Sequence, residues 1–284
     1  MAHFVHRLLI VSLAASLVAC GDGGSESGAG GAGGTGGTGG GVEDGGGGSG
    51  GQPTLNDWSC LGLFPAPEFS PGPGHTGTVK IVEFLSSSPL TDVLVKACYK
   101  SDLDCTSPID EGTTDQSGNV TLLTPSDAPH YFDLTGPNVA PHMVFLLGPP
   151  TADDFNLTLS ALSPDTLSLF FSILEETNEP DKGLVGLATI DCQNARATDV
   201  VFEIEPTDPA TTLGYFTPQG LPDLDLTATS LAGIAGANNV PEGSVKATAR
   251  VNSTGELISD RTFNVRPGYI SFPPTHNPTP EPTP

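Results

Sequence analysis

The cysteines are the residues whose chemistry is easiest to interpret. Four lie in the body of the chain, at Cys60, Cys98, Cys105 and Cys192, where they could form disulfides or hold zinc. No cysteine has the two-residue spacing of a zinc ribbon, and no nearby histidine completes a set, so we expect disulfides and no metal site. Of the three pairings that four cysteines allow, the short spacing favours Cys98 with Cys105, closing the tip of a hairpin. Cys60 and Cys192 would then join the two halves of the chain.

The histidines form no recognisable catalytic or metal-binding motif. His75, His130 and His142 lie beside glycine or proline, and we expect all three in exposed loops. The sequence G-S-E-S-G at 24–28 is similar to the nucleophile elbow of hydrolases, but Glu26 occupies the position of the serine and the surrounding glycine tract provides neither strand nor helix. No motif therefore predicts a catalytic residue, a cofactor or a defined ligand-binding residue.

Acidic residues offer two candidate cation sites. Asp115 opens the sequence D-Q-S-G-N, which is similar to a calcium loop but lacks the repeated acids and the terminal glutamate. We expect a turn there, in which Asp115 and Gly118 satisfy the backbone. Asp223 and Asp225 could offer oxygens to a weakly bound calcium ion, although a solvated loop is the simpler interpretation.

The single tryptophan, Trp58, lies two residues before Cys60. An exposed tryptophan could stack on a sugar, but the adjacent leucines and phenylalanine favour packing against the core beside the disulfide. The sequence therefore predicts a structural role for this side chain.

The first nineteen residues have the layout of an export signal, with a basic start ending at Arg7 and an apolar run too short to span a bilayer comfortably. The end of this segment, Leu17-Val-Ala-Cys20, resembles the lipobox of bacterial lipoproteins. The resemblance implies cleavage before Cys20 and acylation of Cys20, which would anchor the chain to a membrane through lipid. An ordinary secretory signal is the alternative. Gly21, where some bacteria use aspartate as an inner-membrane retention signal, favours an outer-membrane lipoprotein on the periplasmic face or at the cell surface.

The chain is strongly acidic, with 33 Asp and Glu against 10 Lys and Arg and a formal net charge of −23. Such a field repels nucleic acid and anionic membrane surfaces. Nucleic acids are therefore excluded as partners.

Composition divides the chain into six parts. Residues 1–19 are the signal, 20–52 a disordered glycine-rich linker, and 273–284 a tail rich in proline and threonine. Between them, short apolar runs separated by glycine and proline predict two β-sandwich domains, at 53–150 and 183–272, with a connecting segment at 151–182. In that segment Ser163 and Pro164 precede apolar residues at helical spacing, which predicts a short helix packed between the domains.

The two halves contain an internal repeat. Each copy shows a glycine and an apolar strand, a T-D-V strand, and a turn whose glycine introduces the next strand. The first copy uses 77–81, 91–95 and 114–120, and the second 186–190, 198–202 and 229–235. The pattern resembles the transthyretin-like, carboxypeptidase regulatory-like domain. That resemblance implies tandem Greek-key sandwiches of seven or eight strands, without catalytic residues of their own.

Two functional hypotheses follow. The first is a lipid-anchored, non-enzymatic cell-envelope protein with structural, adhesive or ligand-binding modules, whose partners would be carbohydrate or another envelope protein. The alternative is a hydrolase, or an accessory module, acting on extracellular polysaccharide or peptide. Carboxylates or histidines clustered in a deep pocket at the ends of the sheets would favour the hydrolase.

Overall fold

The computed structural model describes residues 56–61, 68–69 and 71–275. These residues form fifteen strands and one helix, which confirms the prediction of a mainly β protein. The strands are β1 (His75–Glu83), β2 (Leu94–Tyr99), β3 (Asp110–Thr113), β4 (Asn119–Thr124), β5 (His130–Thr135), β6 (His142–Phe145), β7 (Phe155–Ala161), β8 (Lys182–Ala188), β9 (Val200–Glu205), β10 (Thr212–Phe216), β11 (Pro222–Asp223), β12 (Ile234–Pro241), β13 (Gly243–Val251), β14 (Leu257–Val265) and β15 (Ile270–Phe272). The helix, α1, is Pro164–Leu174.

The strands form three sheets. The first outer sheet has the order β4-β1-β7, and the second outer sheet has the order β14-β13-β9. The middle sheet has nine strands in the order β11-β10-β12-β8-β15-β6-β5-β2-β3. Strand β15 is parallel to both of its neighbours, β6 of the first half and β8 of the second. The two halves therefore share one continuous sheet.

The three sheets pack as layers, with the middle sheet covered on both faces. On one face, Val79 and Leu122 of the first outer sheet pack with Val95 and Phe132 of the middle sheet. The other face packs on the second outer sheet, through residues that include Met143, Phe145, Ala249 and Phe263. Helix α1 covers the remainder of the first face through Phe170, which packs with Phe216 and Ile270. Full burial of a valine, leucine, phenylalanine or methionine side chain stabilises the folded state by about 1.5–3 kcal/mol.

Burial on both faces explains the sequence of β5. Five consecutive residues of this strand, His130 to Leu134, are buried. Strand β9 lies in an outer sheet, and there only alternate residues are buried. A continuous buried run marks a strand between two layers, whereas alternation marks a half-exposed strand.

The internal repeat is visible in equivalent hydrogen bonds around two buried threonines. The Thr114 hydroxyl donates to a carbonyl at 2.8 Å and accepts from a strand N–H at 3.0 Å, and Thr229 makes the same two bonds at the same distances. The partners are Leu90 and Val93 for Thr114, and Ala197 and Val200 for Thr229. The T-D-V segments and the turns of the two copies therefore make equivalent hydrogen bonds, as the repeat predicted.

The alignment of the first strand of the repeat was wrong by one residue. The Ile81 N–H donates to the carbonyl of Gly118, and the equivalent bond to Gly233 comes from Thr189 and not from Ile190. Gly77 therefore does not correspond to Gly186. A strand alternates its faces, so this single step places Gly77 on the core face of its sheet and Gly186 on the face turned to α1.

The predicted connecting segment contains both a helix and a strand. Helix α1 begins with Ser163 as its N-cap and Pro164 in its first turn, as predicted, and it contacts both halves. Strand β7 also lies in this segment, and it pairs in parallel with β1 of the first half. In residues 56–61, 68–69 and 71–275, no helix has the length and hydropathy needed to cross a membrane.

Candidate functional site

Helix α1 is held at its first turn by Glu83, the last residue of β1 in the first outer sheet. The Ser163 hydroxyl caps the helix by accepting from the Thr166 N–H at 3.1 Å. The Thr166 hydroxyl then donates to Oε1 of the buried Glu83 at 2.7 Å. The other carboxylate oxygen of Glu83 accepts from the N–H groups of Leu85 and Ser86. Burial raises the pKa of Glu83, but these hydrogen bonds outweigh burial and hold it below its usual 4.5.

Three aromatic rings lock the helix to both halves. Phe170 of α1 lies edge-on to Phe84 and to Phe216, with ring centroids 6.1 and 5.4 Å apart. Phe84 follows β1 in the first half, and Phe216 ends β10 in the second. Edge-to-face pairs add about 0.5–1.5 kcal/mol beyond the area that they bury.

A row of three glycines crosses the middle sheet beneath the helix. Gly214 of β10 is paired with Gly236 of β12, which is paired in turn with Gly186 of β8. A Cβ atom at Gly186 would overlap the ring of Phe272, whereas one at Gly214 would meet only the Cδ2 atom of Leu224, at 3.2 Å. Glycine within a strand commonly marks the close approach of another group. The row therefore forms a shallow channel in the sheet, and the rings of Phe272 and Phe216 and the tip of Leu224 lie in it.

The channel and the helix enclose an apolar groove of about 80 Å³. Its apolar lining includes Leu167, Phe171 and Leu174 of the helix, together with Leu184, Phe216, Ile234 and Phe272 of the sheet. The polar side chains in the lining belong to Glu176, Thr212 and Asn238. The lining is mostly apolar with few polar groups, as in small-molecule sites, but the volume is well below the roughly 300–1,000 Å³ that is usual for them.

Asn238 is one of the three polar residues that line the groove. Its side-chain Nδ2 donates to Oε2 of Glu176 at 3.0 Å and to the carbonyl of Thr177 at 3.2 Å. These two acceptors fix the orientation of the amide. The carbonyl oxygen Oδ1 is buried and has no hydrogen-bond partner. Asn238 therefore keeps an unsatisfied acceptor that is buried away from the open part of the groove, and such a group is costly.

Both predicted disulfides are confirmed. Cys98 is bonded to Cys105 and Cys60 to Cys192, with Cα–Cα distances of 5.5 and 5.7 Å. The predicted lipidation site, Cys20, lies outside the described residues.

Trp58 packs against the core next to the Cys60–Cys192 disulfide, as predicted. The same region is held by Asn56, whose amide donates to the carbonyl of Thr198 and accepts from its N–H. The segment before β1 is thus tied to the second half by a covalent bond and by side-chain contacts.

Arg266 makes a second connection between the halves. Its guanidinium donates to Oδ2 of the buried Asp133 at 2.8 Å and also to the carbonyl of Leu103. It lies over the ring of Tyr269, with Cζ 4.3 Å from the centroid. The Tyr131 hydroxyl beside it donates to the carbonyl of Asp102, and burial raises its pKa to about 12. This network pins the loop closed by Cys98–Cys105 to the β14–β15 connection.

The prediction that the histidines lie in exposed loops was wrong. His75 begins β1, whereas His130 and His142 lie in β5 and β6 and are almost fully buried. Proline precedes each of the two buried histidines, and both strands begin immediately after it. Burial lowers the pKa of His130 and of His142 to about 4, so both rings are neutral at pH 7.

His142 has a structural role. Its Nδ1 bonds the carbonyl of Ala140, and its Nε2 accepts from the Leu162 N–H at 3.0 Å. The ring stacks on Phe272, with centroids 5.5 Å apart and planes 5° apart. It therefore joins β6 to β15 and to the segment before α1.

The acidic candidates do not form a metal centre. Asp115 makes the predicted turn, with Oδ1 accepting from the N–H groups of Ser117 and Asn119. Asp223 lies in β11 and accepts from the N–H of Asp225. Among residues 56–61, 68–69 and 71–275, no three His, Cys, Asp or Glu side chains are grouped to hold a metal ion.

The groove was not predicted from the sequence. Gly214 and Gly236 each interrupt an apolar strand, and that interruption is the signal that marks a close approach. Neither the alignment of the glycines in one row nor the unsatisfied oxygen of Asn238 could be deduced from sequence, because both depend on the pairing of β8, β10 and β12.

Comparison with known proteins gives no family assignment. No family model matches the chain, and no curated protein matches it. Three pilins are among the similar solved structures. The shaft pilin SpaA of Lactobacillus rhamnosus GG is 13% identical over 71% of this chain and 97% of the pilin, with a TM-score of 0.25. The minor pilin GBS52 of Streptococcus agalactiae is 14% identical over 74% of this chain and 98% of the pilin, with a TM-score of 0.23. The major pilin RrgB of Streptococcus pneumoniae is 8% identical over 76% of this chain and 49% of the pilin, with a TM-score of 0.21. Likenesses at these TM-scores carry no argument about function.

Proposed function

We propose that this chain is a lipid-anchored, non-enzymatic protein of the cell envelope that holds two β-sandwiches as one rigid unit. The observation that carries the proposal is the middle sheet, which passes from one half to the other through β15. A body built in this way serves to support or display a surface. A hinge between the halves would have to break the pairing of β15 with β6 or β8.

Two further connections support a rigid body. The Cys60–Cys192 disulfide spans 132 residues of sequence, and the Arg266–Asp133 ion pair is largely buried. Disulfides persist in oxidising compartments, which accords with export from the cytoplasm. Rigidity and export together suit an envelope component that displays a binding surface of fixed shape.

The lipid anchor is supported by the Leu17–Cys20 sequence, which resembles a lipobox. The glycine-rich tract that follows would hold the folded part away from the membrane. On the same grounds we place the protein in the outer membrane, on its periplasmic face or at the cell surface, with carbohydrate or another envelope protein as its partner. The transthyretin-like resemblance supports the same interpretation, since such domains commonly act as accessories or binding modules.

The hydrolase alternative gains no specific support from the described residues. The groove beneath α1 is lined mainly by apolar side chains, and both buried histidines stabilise strands of the middle sheet. The hydrolase hypothesis required carboxylates or histidines around a deep pocket.

Labelling with radioactive palmitate, followed by separation of inner and outer membranes, tests the anchor. We expect label on the wild-type chain in the outer-membrane fraction and none on Cys20→Ala. A Cys60→Ser/Cys192→Ser variant controls for general effects of cysteine loss and should remain labelled. Label that persists on Cys20→Ala would overturn the anchor.

Binding and turnover can be separated with one set of ligands. A glycan array and a pull-down from envelope extract should identify a carbohydrate or protein partner, and incubation of that partner with the chain should leave it intact. Release of a cleaved product by the purified chain, at a rate proportional to its concentration, would replace this proposal with the hydrolase alternative.

A further inference from the structure

We propose that the open edge of strand β7 binds an extended segment of a partner protein, which lies parallel to β7 and alternates apolar with polar residues. The proposed function names carbohydrate or another envelope protein as the partner. The choice of a protein partner rests on that role and not on lipid anchoring.

The open edge of β7 presents backbone groups that are available for pairing. Strand β7 pairs in parallel with β1, and the bond from the Phe84 N–H to the carbonyl of Ala161 shows which residues face β1. Alternate residues of a strand turn their N–H and C=O groups to opposite edges. The backbone groups of Asn156, Thr158 and Ser160 therefore point away from β1, and none of them bonds to another residue in the described part of the chain. All three residues are exposed.

The internal repeat shows which element belongs at this edge. Strand β15 pairs in parallel with β8 as β7 pairs with β1, so β15 is the counterpart of β7 in the second half. The other edge of β15 pairs in parallel with β6, where the Ile270 N–H donates to the carbonyl of Pro141. Met143 and Phe145 of β6 thereby enter the core of the second half. Beside β7 the described residues provide no such strand, so a parallel strand from a partner fits there.

Apolar side chains next to the edge are incompletely covered. Phe155 and Leu157 of β7, Val144 of β6 and Leu146 just after it pack against the core of the first half, but all four are only partly buried. An added strand places every second side chain on the face that Phe155 and Leu157 share. Those side chains must be apolar to cover this surface, and the ones between them face solvent.

The other described sheet edges are protected against such pairing. Charged residues lie in β3, β9 and β14, and β11 is only two residues long. In β4 the Leu123 N–H already donates to the carboxylate of Asp110 at 2.8 Å. Strand β7 has seven residues and contains no charge, proline or bulge. A long uncharged edge of this kind is the type that accepts a further strand.

Charge selects a cationic segment. Asp153 and Asp154 directly precede β7, and Asp165 follows it in the first turn of α1. Lys80 of β1 lies opposite Thr158, beside the middle of β7. Acidic groups therefore flank both ends of the edge, in a chain whose formal net charge is −23. Lysine or arginine at the ends of the segment complements this field, whereas a second copy of the acidic chain is repelled by it.

The test uses the purified full chain carrying Cys20→Ala, with both disulfides formed, and a nine-residue peptide of alternating valine and threonine with a lysine at each end. In a parallel ladder the valines, whose side chains face inward, turn their N–H groups to β7. N-methylation of the valines removes those donors, whereas N-methylation of the threonines alters only the solvent edge. Titration calorimetry should show saturable binding of the parent and N-methylthreonine peptides. Binding should be at least tenfold weaker for the N-methylvaline peptide, and also weaker for a parent peptide that ends in glutamates.

Hydrogen exchange locates the peptide on the chain. The amides of Asn156, Thr158 and Ser160 should exchange freely in the chain alone, because they have no acceptor. Saturation with the parent peptide should slow their exchange at least tenfold.

Two variants at one position separate the edge from other surfaces. Thr158→Pro removes an N–H that points to the open edge, where proline is tolerated, and it should weaken binding at least tenfold. Thr158→Val keeps that N–H and should bind as the wild type does. Circular dichroism checks that both variants fold, and the comparison of N-methylated peptides on the wild-type edge remains decisive if Thr158→Pro does not.

Four results would overturn the proposal. Three are the absence of saturable binding up to the solubility of the parent peptide, N-methylthreonines that weaken binding as much as N-methylvalines or more, and glutamate ends that bind as tightly as lysine ends. The fourth is protection of the three amides that rises with chain concentration without peptide, which would identify a second copy as the occupant. None of them bears on palmitate labelling of Cys20 or on cleavage of a partner, so failure of this inference is distinguishable from failure of the proposed function.

Discussion

Arg266 of the second half donates to Asp133 of the first, at 2.8 Å between Nη1 and Oδ2, and both side chains are largely buried. The pair lies beside the middle sheet, where the two halves meet. A buried pair contributes little net stability as a unit, but removal of one partner leaves a charge that has lost its solvation.

Substitution of Arg266 should therefore be strongly destabilising. We expect Arg266→Met to lower the free energy of unfolding by about 3 kcal/mol, and Arg266→Met/Asp133→Leu to recover most of that loss. Urea denaturation followed by fluorescence gives both values. Lys246→Met, which removes the exposed ion pair with Asp260, should cost far less, because solvent screens that pair. If Arg266→Met cost no more than this control, the bridge would not join the halves.

The equivalent threonines of the repeat offer a matched pair of substitutions. Thr114→Val and Thr229→Val each remove one donated and one accepted hydrogen bond at a buried site. We expect each to lower the free energy of unfolding by about 2 kcal/mol, because a strand N–H and a carbonyl lose their partner. Chemical denaturation of the two variants side by side measures this. Costs that differ by more than about 1 kcal/mol would contradict their equivalence.

Acid should destabilise the fold through His142. Burial lowers its folded pKa to about 4 from the ordinary 6.5, so the unfolded chain binds the proton more tightly. The neutral ring contributes about 3 kcal/mol to the free energy of unfolding. This contribution is complete above about pH 6.5 and is lost as the pH falls towards 4.

The measurement is the free energy of unfolding between pH 4 and 7.5. We expect His142→Asn to be less stable at pH 7.5 and to show a shallower slope, with the remaining slope due to His130, whose pKa burial also lowers to about 4, and near pH 4 to carboxylates with lowered pKa such as Glu83. A slope that His142→Asn leaves unchanged would show that the ring is not neutral and buried in solution.

The two disulfides should differ in their effect on stability. Cys60–Cys192 closes a sequence separation of 132 residues and Cys98–Cys105 one of 7. Loop entropy predicts a loss of about 5 kcal/mol when the first is replaced by serines, and of about 2 kcal/mol for the second. Thermal and urea unfolding of the two double variants provide the comparison. We expect the larger loss for Cys60–Cys192. The reverse order would indicate that the long loop is already compact in the unfolded chain.

Much of the local structure could be predicted from the sequence. Ser163 and Pro164 marked the start of α1, and the short spacing of Cys98 and Cys105 identified their disulfide, because capping and loop closure depend on neighbours in sequence. Alternation in β9 and β13 identified half-buried strands. Strand β7 shows a similar alternation of apolar and polar residues.

The errors lie where structure depends on distant pairing. His130 and His142 follow prolines, which suggested loops, but burial of both faces of the middle sheet places them in strands. The one-residue offset between Gly77 and Gly186 could not be predicted from the local sequence either, because the face that each strand turns to the core depends on which sheet the strand joins. The groove requires three strands in register, and no single segment of sequence encodes that register.

Strand β15 is three residues long and lies fifth in a sheet of nine. Its position in the chain means that the centre of the sheet is synthesised after all fourteen other described strands. Until Ile270, Ser271 and Phe272 are made, β6 and β8 each present an open edge to the same gap, and neither half can complete its pairing. Synthesis of this sheet thus ends at its middle, with the one strand that both halves share.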